Sequence, residues 1–214
     1  MAQEEQVLVV ERKVVEEVGL FQGLMFDVDR YLPEIFARGV PRFMPRPQAE
    51  VDPSFKQIIP YVIMSCDGKY LSYVRGVRAG EKRLVDKMSI GIGGHINPAD
   101  YEAPLFDTDF SQMYNTAVER EVAEEVALEA GHTDHIVALL NDESNEVGSV
   151  HLGIVHYWIL DKPEVSRREQ MMTQMAFKTI DEMRELRDTM ETWSGLCLDG
   201  LEEMAKRLDS VGRK

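Results

Sequence analysis

No run of this chain approaches the ~18 consecutive apolar residues that a bilayer crossing needs, so a membrane partner is not expected. Cysteine is scarce. Cys66 and Cys197 are the only two in 214 residues, and their separation fits neither a CxxC metal pair nor a redox motif. Reduced thiols in a cytoplasmic protein are the expectation, with one disulfide as the alternative. The start, Met-Ala-Gln-Glu-Glu-Gln, lacks the basic residues and long apolar stretch of a secretion signal. Basic residues are outnumbered, 24 Lys and Arg against 38 Asp and Glu, for a formal net charge of -14. That sign disfavours duplex nucleic acid, whose backbone is held by clustered cations. A small anionic ligand stays open, because bound cations and a few arginines can make one local site positive. Low-complexity tracts and internal repeats are missing too. With 44% hydrophobic and 29% charged residues, the composition is that of a globular chain long enough to bury a sizeable core.

Val7 to Val10 is a short β-branched run and predicts a strand. Asp27 to Phe36 suits a short helix. Gly39 to Pro53 holds four prolines, at 41, 45, 47 and 53, which predict an extended connection. Residues 1–56 therefore read as an N-terminal extension packed on a main domain of 57–214. Ile58 to Met64 and Tyr70 to Val74 flank Asp67-Gly68, a strong signal for a tight hairpin. Met88 to Ile92 predicts a strand running into Gly93-Gly94-His95. After a loop from Asn97 to Asp109, the pattern predicts a helix from about Gln112 to Ala127, with Ser111 as its N-cap. Strand character returns over His135 to Leu140 and Val150 to Leu160. Two helices follow, near Thr179 to Glu191 and Leu196 to Leu208, with Ser194-Gly195 as the break. The order predicts an α/β fold with a mixed sheet covered by helices.

The central helix carries the chemistry. Glu121, Glu124 and Glu125 fall at i, i+3 and i+4, so their carboxylates share one face. Beside them Val118, Val122 and Val126 recur every four residues and anchor the helix to a core. Like charges held this way repel, and a hard divalent cation reverses that cost. A solvated Glu-rich helix face is the bland alternative. Arg120, four residues before Glu124, is placed to brace a carboxylate of the preceding loop.

Arg120-Glu121-Val122-Ala123-Glu124-Glu125, with Leu128 after it and Gly93-Gly94 before it, resembles the signature of the Nudix hydrolase family. The match is split. Gly94 and Arg120 are 26 residues apart, 12 more than the signature has. Counting forward from Gly94 puts Asp100 in the slot of the first signature glutamate; counting back from Arg120 puts Gln112 there. Ala127 replaces the glycine that closes the signature. The resemblance implies an α/β/α sandwich with a mixed sheet, and a hydrolase acting on a diphosphate linkage in a nucleoside diphosphate derivative. It also implies Mg²⁺ or Mn²⁺ held by Glu121, Glu124 and Glu125, with Glu121 orienting the attacking water, and Arg120 in a structural salt bridge. A homodimer is an expectation by analogy. The rival is a Nudix-like nucleotide or sugar-phosphate sensor without turnover.

Further candidates are weaker. The family's general base often lies beyond the helix, where Glu143 and Glu146 stand in a polar turn. Arg75 and Arg78, after the hairpin strand, are candidates for substrate phosphates. Gly94 and His95 are candidates for substrate contact. Neither His95 nor His151 has metal-ligand spacing to another His or Cys, so both also read as structural histidines.

Overall fold

The computed structural model describes residues 4–76, 86–100, 110–168 and 172–211. The chain runs β1 (Gln6–Glu11), α1 (Arg12–Gly19), β2 (Gly23–Met25), α2 (Val28–Ile35), β3 (Arg42–Pro45), α3 (Arg46–Ala49), β4 (Phe55–Cys66), β5 (Lys69–Arg75), β6 (Met88–Ser89) and β7 (Gly91–Gly93). A 3-10 turn, Pro98–Asp100, precedes α4 (Phe110–Glu125) and β8 (Val126–Leu128). Then come β9 (His132–Asn141), α5 (Glu146–Ser149), β10 (His151–Leu160), β11 (Val165–Arg167), β12 (Met172–Lys178), α6 (Ile180–Arg184) and α7 (Thr192–Val211). Ten strands form one mixed sheet whose main path is β12-β5-β4-β10-β9-β2. β8 and β11 form a separate pair.

Contacts group the chain into two compact units, one of 1–60, 93–121 and 138–154, the other of 61–92, 122–137 and 155–214. In the first, β1 is buried from Val7 to Val10. It pairs antiparallel with β3, Val7 opposite Met44, and with β4, Val9 opposite Gln57. Val7, Val9 and Ala49 form a small core against Met44 and Phe55. The predicted proline-rich connection is thus a strand and one turn of helix. Pro45 ends the strand, and Pro47 lies in the first turn of α3, where a missing amide proton leaves no bond unmade.

In the second unit, the hairpin follows its sequence signal. Asp67 and Gly68 both have positive φ, 49° and 74°. Ser65 faces Tyr70 and Cys66 faces Lys69 across that two-residue turn. Helix α7 buries Cys197, Leu198, Leu201 and Met204, residues that share one face. Ser194-Gly195 does not break the helices as expected; both lie inside α7. The Ser194 hydroxyl contacts Tyr61 Oη at 2.7 Å and accepts the Ile90 amide at 3.0 Å. Those buried bonds outweigh the weak helix propensity of Ser and Gly. Cys66 and Cys197 are buried free thiols. No helix among the described residues is long and apolar enough to cross a membrane.

Two boundaries move around α4. Ser111 stands within the helix and so is not its N-cap. At the other end the helix stops at Glu125, because Val126, Ala127 and Leu128 pair with Arg167, Ser166 and Val165. The residue in the family's glycine position is therefore strand.

Candidate active site

The site grows from the loop after β7. At Gly93 an added Cβ would lie 2.3 Å from the Pro60 carbonyl oxygen, and at Gly94 it would lie 2.0 to 2.7 Å from the Glu121 carboxylate. A side chain at Gly93 would meet the β4 backbone, and one at Gly94 would have to displace the Glu121 carboxylate. The Glu121 carboxylate lies against Gly94, its side chain 14% exposed.

Arg120 locks the arrangement. Its Nε and one terminal nitrogen donate to Asp100 Oδ1 and Oδ2 at 2.5 and 2.9 Å. The same nitrogen donates to the His95 carbonyl at 2.9 Å, and the other donates to Glu121 Oε1 at 2.7 Å. Asp100, its side chain 1% exposed, also accepts the Asn97 amide at 2.9 Å. The brace that Arg120 makes thus falls on the forward-counted slot, Asp100. Gln112 is exposed on α4. On the forward count the extra residues fall between Asp100 and Arg120, part of them within α4; residues 101–109 lie outside the described part.

Glu124 is exposed and Glu125 partly so, on the same helix as Glu121. All three stand in the last turns of α4, which holds no basic residue in its own last turn, while Arg168 from after β11 donates to the Ala123 carbonyl at 2.9 Å. The negative end of the helix dipole opposes carboxylates there, and their mutual repulsion adds to it. A divalent cation offsets both terms. Oxygen donors are the kind a hard ion such as Mg²⁺ or Mn²⁺ takes, and Gly94 leaves room for the Glu121 carboxylate.

The other candidates divide. Glu146 is exposed in the first turn of α5. Glu143 is committed to cations, with Lys56 Nζ donating to Oε1 at 2.6 Å and Arg12 to Oε2 at 2.9 Å. Lys56 is fully buried in β4 and also donates to Asn141 Oδ1 at 2.9 Å and the Gly148 carbonyl at 3.2 Å. Burial alone would push the Glu143 carboxyl up, but the hydrogen bonds from Lys56 and Arg12 hold it below the usual glutamate value. Replacing Glu143 by Gln leaves the buried ammonium short of its counter-charge. We expect a loss of about 2 kcal/mol at neutral pH, below the figure for a fully buried pair because Glu143 is partly exposed. A depressed carboxyl contributes stability above its unfolded value and loses it as pH falls through the folded one. The wild-type advantage over Glu143→Gln should therefore shrink below about pH 4.3. Urea midpoints measured from pH 7 to 3 check this; equal midpoints at pH 7 would refute it.

Arg75, at the end of β5, donates from Nε to Glu191 Oε2 at 3.1 Å. Glu191 Oε1 also accepts from Ser89 at 2.7 Å, Ser194 at 3.0 Å and Tyr61 at 3.2 Å. Arg75 thus belongs to a buried polar network that ties β4, β5 and β6 to the start of α7. Arg78 lies outside the described residues.

His95 turns its ring toward His151, with centroids 5.7 Å apart. Their spacing of 56 positions hid this pairing from any motif. Lys56 was missed for a related reason, since a lysine in an apolar strand announces nothing until Asn141 and Glu143 arrive from β9 and the turn after it.

No family model matches the chain. Protein YmaB of Bacillus subtilis (strain 168) is 34% identical over 209 residues, covering 93% of this chain and 98% of that protein. The crystal structure of Tm1382, assigned provisionally as a Nudix hydrolase, matches with a TM-score of 0.75 at 27% identity. It covers 92% of this chain and 98% of that one. The Nudix domain of Shewanella oneidensis NrtR, solved with ADP-ribose, shares the fold at a TM-score of 0.50 and 12% identity. That match covers 71% of this chain and 87% of the other.

Proposed function

The chain belongs to the Nudix hydrolase family, and from that membership we propose that it hydrolyses the diphosphate linkage of a nucleoside diphosphate derivative with Mg²⁺ or Mn²⁺. The observation that carries the reading is the brace in which Arg120 joins Asp100, the His95 carbonyl and Glu121 while Gly94 backs the Glu121 carboxylate. That brace fixes one carboxylate of the glutamate helix in position before any ligand arrives, which is the preorganisation that in-line phosphoryl chemistry needs.

Glu121, Glu124 and Glu125 would hold the ion. When bound, it supplies charge neutralisation at the diphosphate oxygens and a lowered pKa for a coordinated water. Glu121 orients the attacking water, since its carboxylate is held on one side by Arg120 and on the other by the Gly94 backbone. For the proton we favour Glu146 over Glu143: the Glu143 oxygens accept from Lys56 and Arg12, and a depressed carboxyl is a poor base. The ADP-ribose of the NrtR domain supports the substrate class, a nucleoside diphosphate carrying a second group.

The test is product release from a panel of ADP-ribose-like compounds, with and without Mg²⁺ or Mn²⁺. Metal-dependent turnover of at least one member is expected. Tight binding of a panel member with no product after prolonged incubation would assign a sensor instead.

A further inference from the structure

We propose that Glu50, His95 and His151 form a second metal site, of zinc type, separate in ligand set from the glutamate helix. Their ligand atoms all lie within 4.8 Å of one another. Three elements far apart in sequence deliver them: the end of α3, the loop after β7, and the first residue of β10.

Each ligand is prepared. His95 Nε2 is buried and has no hydrogen-bond partner among the described residues. A buried imidazole nitrogen without a partner is a desolvated group with no return, and a metal ion is the partner that would satisfy it. His151 Nδ1 lies 2.6 Å from the Val147 carbonyl oxygen. A carbonyl only accepts, so Nδ1 carries the proton and Nε2 the lone pair, the arrangement that orients metal-binding histidines. Arg46 Nε donates to Glu50 Oε1 at 3.1 Å and fixes that carboxylate.

The donor set names the metal class. Two imidazoles and one carboxylate suit Zn²⁺ and its neighbours, whereas Mg²⁺ prefers oxygen alone. Three protein ligands leave a fourth position for water or an anionic oxygen. The site also gives the N-terminal segment a role, because Glu50, the residue after α3, is one of its ligands. The two sites meet in one dipeptide: Gly94 backs Glu121, and His95 reaches toward Glu50 and His151.

Metal-stripped full-length protein should bind one equivalent of Zn²⁺ in equilibrium dialysis with metal counting, at about micromolar Kd or tighter. Affinity should fall at least about 100-fold in His95→Ala and in His151→Ala, and stay within a few-fold in Glu125→Gln. Zinc loss in Glu125→Gln with retention in both histidine variants would overturn the site. Should either histidine variant fail to fold, Co²⁺ added to the wild type decides. Visible bands of four-coordinate intensity with nitrogen ligation support the site; weak octahedral absorption overturns it. None of these readouts involves turnover, so the site stands or falls apart from the hydrolase reading.

Discussion

Glu125→Gln is expected to lower kcat/KM on a turned-over diphosphate substrate by about two to four orders of magnitude while leaving the metal-free protein at least as stable as the wild type. The two halves have one cause. Glu121, Glu124 and Glu125 crowd the last turns of α4, where the helix dipole and their own repulsion work against negative charge. Gln keeps the shape and removes one charge. Relief of roughly 0.3–1 kcal/mol corresponds to a rise of about 1–3 °C in Tm for a chain this long. With Mg²⁺ or Mn²⁺ present the order should reverse, since the ion stabilises only the state that binds it. A solvated, non-functional helix face predicts something else: no rate change, and no metal-dependent crossing of melting temperatures. Thermal melts of both proteins with and without metal, beside initial rates, separate the two. A mutant with wild-type turnover would remove the glutamate helix from the mechanism.

Local signals carried far in this chain, and failed where a distant partner decided. Asp67-Gly68 specified the β4–β5 turn because positive φ at two successive residues is a local demand. The i, i+3, i+4 carboxylates were legible because helical period is local too. The end of α4 was not. Val118, Val122 and Val126 continue a helical stripe, yet Val126 leaves the helix to pair with Arg167, 41 positions on. Ser194-Gly195 has the composition of a break and is instead held in α7 by partners on β4 and beside β6. The first signature slot was undecidable by counting, because an insertion erases register; in space the Arg120 guanidinium meets Asp100, the forward-counted residue. The pairing of His95 with His151 lay beyond any spacing rule for the same reason that Lys56 did, since each depends on chain brought in from elsewhere.

Arg120 is where fold and chemistry meet, and its removal should be felt in both. Asp100 is buried to 1% side-chain exposure and depends on Arg120 for a two-point ion pair. Arg120→Met keeps much of the apolar stem but strands that carboxylate, a change that costs about 3–4 kcal/mol by comparison with other broken buried pairs. In Tm this is a fall of roughly 6–15 °C. Lysine should recover little, because one ammonium cannot reach Asp100 Oδ1 and Oδ2, the His95 carbonyl and Glu121 from a single point. Adding Asp100→Asn to Arg120→Met removes the stranded charge, so the double variant should be more stable than Arg120→Met alone. That coupling is the signature of the pair, and it is read from the double-mutant cycle in urea. Activity adds a second line. Arg120 donates to Glu121 Oε1 as well, so the double variant should regain stability without regaining rate. Stability of Arg120→Met within about 0.5 kcal/mol of the wild type would show that Asp100 finds its compensation elsewhere, and the brace would lose its place in both the fold and the reaction.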